Sequence, residues 1–123
     1  MTFVHRETVR FRDLDSLGHM NNAVYATFVE QARIAFLAPR GADVENMILA
    51  RLEIDFRSPV ELGETVEIAV KPTRVGTKSF DLGYELRAGD RLVAEARTVL
   101  VAYDYAQARS VELPPEWKER FAA

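Results

Sequence analysis

The chain has 123 residues, 48% of them hydrophobic and 28% charged, with a net charge of −3 from 16 basic and 19 acidic side chains. It contains no cysteine and only two histidines, His5 and His19, which excludes disulfides, a thiol nucleophile, cysteine-ligated zinc or iron–sulfur clusters, and a three-histidine metal site. The acidic balance argues against general nucleic-acid binding, which needs a basic excess.

The first segment, 2–12, alternates Phe3, His5, Glu7, Val9 and Phe11 with Val4, Arg6, Thr8 and Arg10 and is rich in strand formers, so it reads as a strand. Residues 13–21 supply turn chemistry. From Asn22 the period becomes helical: Val24, Tyr25, Phe28, Val29, Ala32, Ala35 and Phe36 recur on one side through Leu37. Asn21 or Asn22 is the expected N-cap, and Pro39 and Gly41 stop the helix. Ala23, Ala26, Ala32 and Ala35 suit close packing against a sheet. A short helical turn is expected within 43–49.

The second half is strand-rich. Residues 50–57, 65–75, 79–87 and 91–105 each alternate apolar and polar side chains and are separated by Gly, Pro, Ser and Asp turns. Pro72 marks an edge or a bulge in its strand. Short connections make consecutive strands the expected antiparallel neighbours. The tail from Pro114 to Phe121 reads as a short closing helix with Pro near its first position. The order of strand, long helix and four strands is an α+β arrangement, a five-stranded antiparallel sheet around one central helix. Residues 1–123 are expected to form a single domain. No stretch approaches the ~20 apolar residues of a membrane span and the first residues form no signal-peptide core, so a cytoplasmic protein is expected.

The chemistry concentrates in Arg12-Asp13-Leu14-Asp15-Ser16-Leu17-Gly18-His19-Met20-Asn21-Asn22-Ala23-Val24-Tyr25. Two carboxylates, an imidazole and two amides precede a helix N-terminus, where backbone N–H groups are free and the dipole is positive. Acyl-bond hydrolysis needs a group that activates water or attacks the carbonyl, and donors for the developing oxyanion. Asp and Asn before a helix are also ordinary caps and turn formers. Fewer polar groups would cap one helix, which favours a functional reading of the cluster.

This stretch resembles the signature of the 4-hydroxybenzoyl-CoA thioesterase-like family, acyl-CoA hydrolases with the hotdog fold. The resemblance extends to Glu30-Gln31-Ala32-Arg33, to Asp55-Phe56-Arg57-Ser58-Pro59-Val60, and to Thr73-Arg74-Val75-Gly76-Thr77-Lys78-Ser79-Phe80. It implies that Asp15 is the catalytic carboxylate, acting as general base or as nucleophile, and that the Asn22 backbone N–H is the oxyanion donor. His19 is a candidate orienting group. Asp13 and Asn21 are assigned to holding the loop. Arg57, Ser58, Arg74, Lys78 and Ser79 are the candidates for contacting coenzyme A, whose phosphates suit Arg forks and Lys point charges. A solvated turn is the plain alternative for Arg74 and Lys78. Tyr25 is assigned to packing and to the acyl pocket's edge, with Val29, Phe36, Met47, Ile48 and Leu49 as further pocket candidates.

No cofactor or metal is expected. A homodimer is, because a single sheet leaves open edges and the family builds its sites across a dimer, often within tetramers. Two other readings compete: a non-catalytic acyl-CoA-binding module, and an acyl-thioester dehydratase or hydratase pairing His19 with Glu30.

Overall fold

The computed structural model describes residues 2–122, with side chains through Phe121; Met1 and Ala123, the ends of the expected domain, lie outside the described residues. Strand β1 (Phe3–Thr8) leads through a 3-10 turn at Phe11–Asp13 into the central helix α1 (Asn22–Leu37). The chain then runs through β2 (Met47–Phe56), β3 (Thr65–Val75), β4 (Ser79–Ala88) and β5 (Arg91–Asp104), a two-residue β6 (Arg109–Ser110) and the closing helix α2 (Pro115–Ala122). This is the hotdog arrangement, a curled antiparallel sheet around one long helix. No described helix is long and apolar enough to cross a membrane.

Helix α1 forms where the apolar period becomes helical. Tyr25, Phe28, Val29, Ala32, Phe36 and Leu37 are all buried on the side facing the sheet. Ala32 is fully buried, and its small side chain lets the helix axis approach the strands. Asn21 caps the N-terminus, its side chain accepting the Ala23 N–H at 2.9 Å. At the other end the helix tightens into a 3-10 turn at Ala38–Arg40 and stops at Gly41, whose φ of 74° suits a residue without a Cβ.

The sheet order is β1-β3-β4-β5-β2, with β6 paired to the end of β5. Inward-facing Val66, Ile68, Val70, Leu82, Leu86, Ala94 and Leu100 meet the helix and form the core. A register shift between Pro72 and Arg74 is the bulge that Pro72 foretold. The Phe80, Trp117 and Phe121 rings interlock where α2 closes the lower end of the sheet, with centroids 4.6 to 6.3 Å apart.

Two expectations need correction. The first strand is shorter than 2–12, because Arg10 and Phe11 turn out of the ladder to start the carboxylate loop. And consecutive strands are not all neighbours: β2 pairs with β5 at the far edge, not with β3. The connection from Arg57 to Glu64 is not a tight hairpin. It passes beneath the carboxylate loop, with Val60 fully buried, the Met20 N–H bonded to Val60 O at 2.7 Å, and the Gly63 N–H bonded to Val9 O at 3.1 Å. These anchors carry the chain across the end of the sheet. As a result β2 is an edge strand with one side unpaired among the described residues, running alongside α1 in the opposite direction.

Candidate active site

The loop from Asp13 to Asn21 is built by its own polar groups. The Asp15 N–H donates to His19 O at 2.8 Å and the Gly18 N–H to Asp15 O at 3.1 Å, closing a tight turn that needs φ of +79° at Gly18. Asp15 Oδ1 accepts the Leu17 N–H at 2.8 Å and the His19 N–H at 3.3 Å. One carboxylate oxygen therefore holds the turn. The other, Oδ2, has no hydrogen-bond partner among the described residues.

Asp13 is used differently. It is buried, 4% exposed, and its carboxylate accepts the Arg10 N–H at 2.8 Å and faces the Arg10 guanidinium. Burial alone would raise its pKa, but the hydrogen bonds and charge of Arg10, helped by Arg12, outweigh it and hold the carboxyl below its ordinary value. Its carbonyl accepts the Asn21 N–H at 2.8 Å, tying the loop to the helix cap.

At the start of α1 the donors are accounted for one by one. The Ala23 N–H is taken by the Asn21 side chain and the Val24 N–H by Asn21 O. The Asn22 N–H has no protein acceptor among the described residues. It opens on a groove of about 400 Å³ lined by Asp15, Leu17, His19, Met20, Asn22, Tyr25, Phe56, Arg57, Ser58 and Pro59. The fold thus brings Asp15, His19, Asn22, Tyr25, Arg57 and Ser58 together from three separate segments. Tyr25 is buried, donates its hydroxyl to Ser58 O at 3.3 Å, and meets the Phe56 ring edge-on at 5.0 Å. Burial raises its pKa, with opposing contributions from Arg91 and Glu64. Arg57 is turned to Glu95, with its Nη2 2.9 Å from the carboxylate.

The remaining candidates lie elsewhere. Arg74, Lys78 and Ser79 sit at the β3–β4 turn, at the opposite end of the sheet from Asp15 within one chain. Arg74 is already engaged: its Nε is 3.0 Å from Asp81 Oδ1, its Nη2 2.8 Å from the same oxygen, and Nη2 also donates to the Ser79 hydroxyl at 2.6 Å. Arg97 holds the other Asp81 oxygen at 2.9 Å. Burial would push Asp81 up, but these two arginines outweigh it and hold the carboxyl below its ordinary value. Lys78 has no ion pair within 4 Å among the described residues. Of the pocket candidates, Val29 is buried in the core, Phe36 is buried but borders a separate cavity with Phe3 and Arg40, Ile48 pairs with Val101 on the outer face, and Met47 and Leu49 line a groove between α1 and β2. Glu30 lines that second groove and not the Asp15 groove, so the fold does not pair it with His19.

Sequence reading missed Phe56 as a wall of the groove, and missed Asp81 and Glu95 as the partners of Arg74 and Arg57. The inward phase of β2 was a signal for Phe56. The two carboxylates gave none, since only strand register brings them opposite their arginines. Among the described residues no group of three or more His, Asp or Glu is placed to hold a metal ion.

Comparison with known proteins decides the family. A model of the Thioesterase-like superfamily matches residues 9–121. The chain belongs to the Thioesterase-like superfamily. Among members named for an activity, a 1,4-dihydroxy-2-naphthoyl-CoA hydrolase of Nostoc punctiforme is 26% identical, over 94% of this chain and 84% of its own. A Thermus thermophilus thioesterase, solved with coenzyme A and Zn, is 34% identical with a TM-score of 0.89, over 96% of this chain and 90% of that one. A 1,4-dihydroxy-2-naphthoyl-CoA thioesterase from Synechocystis shares the fold, with a TM-score of 0.89 at 20% identity over 99% of this chain and 96% of that one. The thioesterase resemblance read from Arg12 to Tyr25 holds at the level of the superfamily. The 4-hydroxybenzoyl specificity in the family's name is not what these relatives' names carry.

Proposed function

We propose that this member of the superfamily hydrolyses acyl-CoA thioesters to a carboxylic acid and free coenzyme A. The observation that carries the proposal is the meeting, in one groove, of an Asp15 carboxylate oxygen and the Asn22 N–H at the start of α1, both without a partner among the described residues. The thioester carbonyl oxygen points at that N–H, where the positive end of the helix stabilises the charge that develops on it. Asp15 takes a proton from water, the hydroxide adds to the carbonyl carbon, and the tetrahedral oxyanion collapses as the C–S bond breaks, the thiolate of coenzyme A leaving and taking up a proton. In the alternative route Asp15 adds directly, coenzyme A leaves, and water opens the mixed anhydride. His19, on the same groove wall, orients polar groups there. The reading calls on no cofactor.

The carrier is coenzyme A in this proposal because a 34%-identical relative was solved with it. Arg57 and Ser58 stand at the groove's rim for its phosphates. Lys78, unpaired among the described residues, comes to the same ligand from a second copy of the chain, with Arg74 and Ser79, already bonded to each other and Arg74 also to Asp81, beside it. The unpaired edge of β2 carries exposed inward-facing Leu49, Leu52 and Phe56, and Phe56 alone keeps 47% of its surface exposed. Two β2 edges pairing antiparallel about a two-fold axis place the Phe56 end of one beside the Met47 end of the other. Met47 lies opposite Ala102, and Ser79 opposite Val101, so the partner's β3–β4 turn comes toward this chain's Asp15. A homodimer, alone or as half of a tetramer, is the proposed working form of the single domain.

The test is Asp15→Asn in folded protein, assayed on a panel of short, long and aromatic acyl-CoAs. The proposed site requires a collapse of hydrolysis, and activity within a few-fold of wild type refutes it. Single-turnover hydrolysis in heavy-oxygen water then separates the routes, since only the anhydride can place solvent oxygen in Asp15. Binding of coenzyme A with no turnover of any acyl-CoA would favour the non-catalytic reading. Light scattering tests the dimer, which a clean ~14 kDa particle contradicts.

A further inference from the structure

A buried charge that the catalytic scheme leaves unused lies about three turns along α1 from Asn22. Arg33 is 9% exposed, on the sheet-facing side of the helix. Taking a guanidinium out of water is costly unless it is well paired, and Arg33 has no close carboxylate among the described residues. Its one carboxylate neighbour among the described residues, Glu30, is 3.8 Å away and has 55% of its side chain exposed. Beneath it lies the Tyr84 hydroxyl, which is 2.7 Å from Thr98 Oγ1. Burial raises the Tyr84 pKa, and the Thr98 hydrogen bond together with the charge and a side-chain hydrogen bond of Arg33 offset part of that rise, so Tyr84 takes one of the guanidinium's five donors and leaves the others.

The surroundings of Arg33 are otherwise apolar. With Glu30 it lines a groove of about 190 Å³ walled by Ile34, Leu37, Val44, Met47, Leu49 and Leu100. This groove and the Asp15 groove lie on the same side of α1, between it and β2. Tyr25 meets Phe56 at one end, and Arg33 and Leu37 face Met47 and Leu49 at the other. Leu52 stands between them on the same face of β2, because the bulge between Leu49 and Arg51 keeps Leu49 in phase with Leu52 and Phe56. A path of exposed apolar side chains thus leads from the Asn22 N–H to a guanidinium whose one carboxylate neighbour is distant. Along the helix the span is eleven residues, about 16 Å at the α-helical rise. Helical side chains lean back toward the N-terminus, so the gap to the guanidinium is shorter and matches a two-ring acyl group.

We propose that Arg33 determines acyl specificity: it donates to a hydrogen-bond-accepting substituent at the far end of an aromatic acyl group lying in the α1–β2 groove, and so selects that acyl group over its unsubstituted parent. The inference rests on the thioesterase reading above. Arg33 touches no reacting atom, and its effect is on which substrate is held. A hydrogen bond to a charged donor in a desolvated site favours the substituted substrate by about 10- to 100-fold.

The experiment compares kcat/KM for 6-hydroxy-2-naphthoyl-CoA and 2-naphthoyl-CoA, identical except for a hydroxyl at the end remote from the thioester. Wild type is expected to favour the hydroxylated substrate about 10- to 100-fold. Arg33→Met is expected to bring the ratio near one, and Arg33→Lys to leave an intermediate value. If both substrates are hydrolysed and the ratio is the same in wild type and Arg33→Met, the inference is overturned and the thioesterase reading stands. If neither is hydrolysed by wild type while other acyl-CoAs are, the two-ring acyl assignment is overturned alone; if no acyl-CoA is hydrolysed, both fall. Glu30→Gln changes an exposed side chain and keeps the test open should Arg33→Met fail to fold. Freed of its carboxylate rival, Arg33 should then favour the hydroxylated substrate more strongly, and an unchanged ratio counts against the inference. A loss of dimer in light scattering, with both substrates slowed equally, would make Arg33 an interface residue instead.

Discussion

The two ends of the sheet handle charge in opposite ways. At the Asp15 end, a carboxylate oxygen and a helix N–H are left without partners among the described residues, and the surrounding loop is held by other atoms of the same few residues. At the β3–β4 end, Arg74 and Arg97 close on a carboxylate, Asp81, that is only 3% exposed. The first arrangement keeps reactive groups available at little cost because one oxygen of Asp15 still anchors the turn. The second satisfies its charges internally and leaves Lys78, unpaired among the described residues, to meet a ligand. Proximity of polar residues is therefore a poor guide to function until their partners are counted.

The difference can be broken at either end. The largest effect is expected for Asp15→Asn. The amide oxygen retains the acceptor for the Leu17 N–H, so thermal unfolding should scarcely move, while kcat should fall by about 10²- to 10⁴-fold as the general base or nucleophile is lost. A large drop in melting temperature would show that Asp15 is structural in the way Asp13 is.

Asp81→Asn should do the reverse, destabilising by about 1–3 kcal/mol in urea titrations as two charge-assisted hydrogen-bonded partners are lost, with kcat nearly preserved. Its pH signature has a definite sign. A carboxyl whose folded pKa lies below its unfolded value stabilises the fold above the unfolded pKa, near 4, and loses that contribution as pH falls through the folded pKa. Wild type should thus lose stability below about pH 4, and Asp81→Asn should flatten that part of the curve. Asp13, lowered by Arg10, contributes in the same window.

A smaller effect is expected for Lys78→Ala. If its ammonium meets a coenzyme A phosphate, KM should rise about 3- to 10-fold with kcat little changed, and the rise should shrink at high salt. No change in KM leaves Lys78 in a solvated turn. The smallest is Tyr25→Phe, which removes one 3.3 Å hydrogen bond to Ser58 O and should cost about 0.5–1.5 kcal/mol of stability. A kcat loss of 100-fold or more there would draw the phenol into the chemistry.

Much of this was legible in the residues themselves. Helix α1, its Asn cap, the spans of β3, β4 and β5 and the Pro72 bulge follow from period, capping and turn chemistry, which act over a few residues, whereas β2 begins at Met47, inside the segment read as a helical turn. The Asp15 and Asn22 pairing was legible for the same reason, since the loop and the helix start are adjacent in the chain. What the residues did not reveal was partnership across long separations. The crossing of β2 to the far edge depends on Val60 and Gly63 anchoring beneath the loop, and nothing in the alternation of 50–57 records it. The engagement of Arg74 by Asp81 and of Arg57 by Glu95 depends on strand register. The burial of Arg33 depends on which face of α1 meets Tyr84 and Thr98. Local periodicity sets which way a side chain points, because backbone geometry repeats within a turn or a pleat. Which group it meets is decided only when distant strands settle into register, and at both ends of this sheet that meeting determines which charges are spent on the fold and which remain for a substrate.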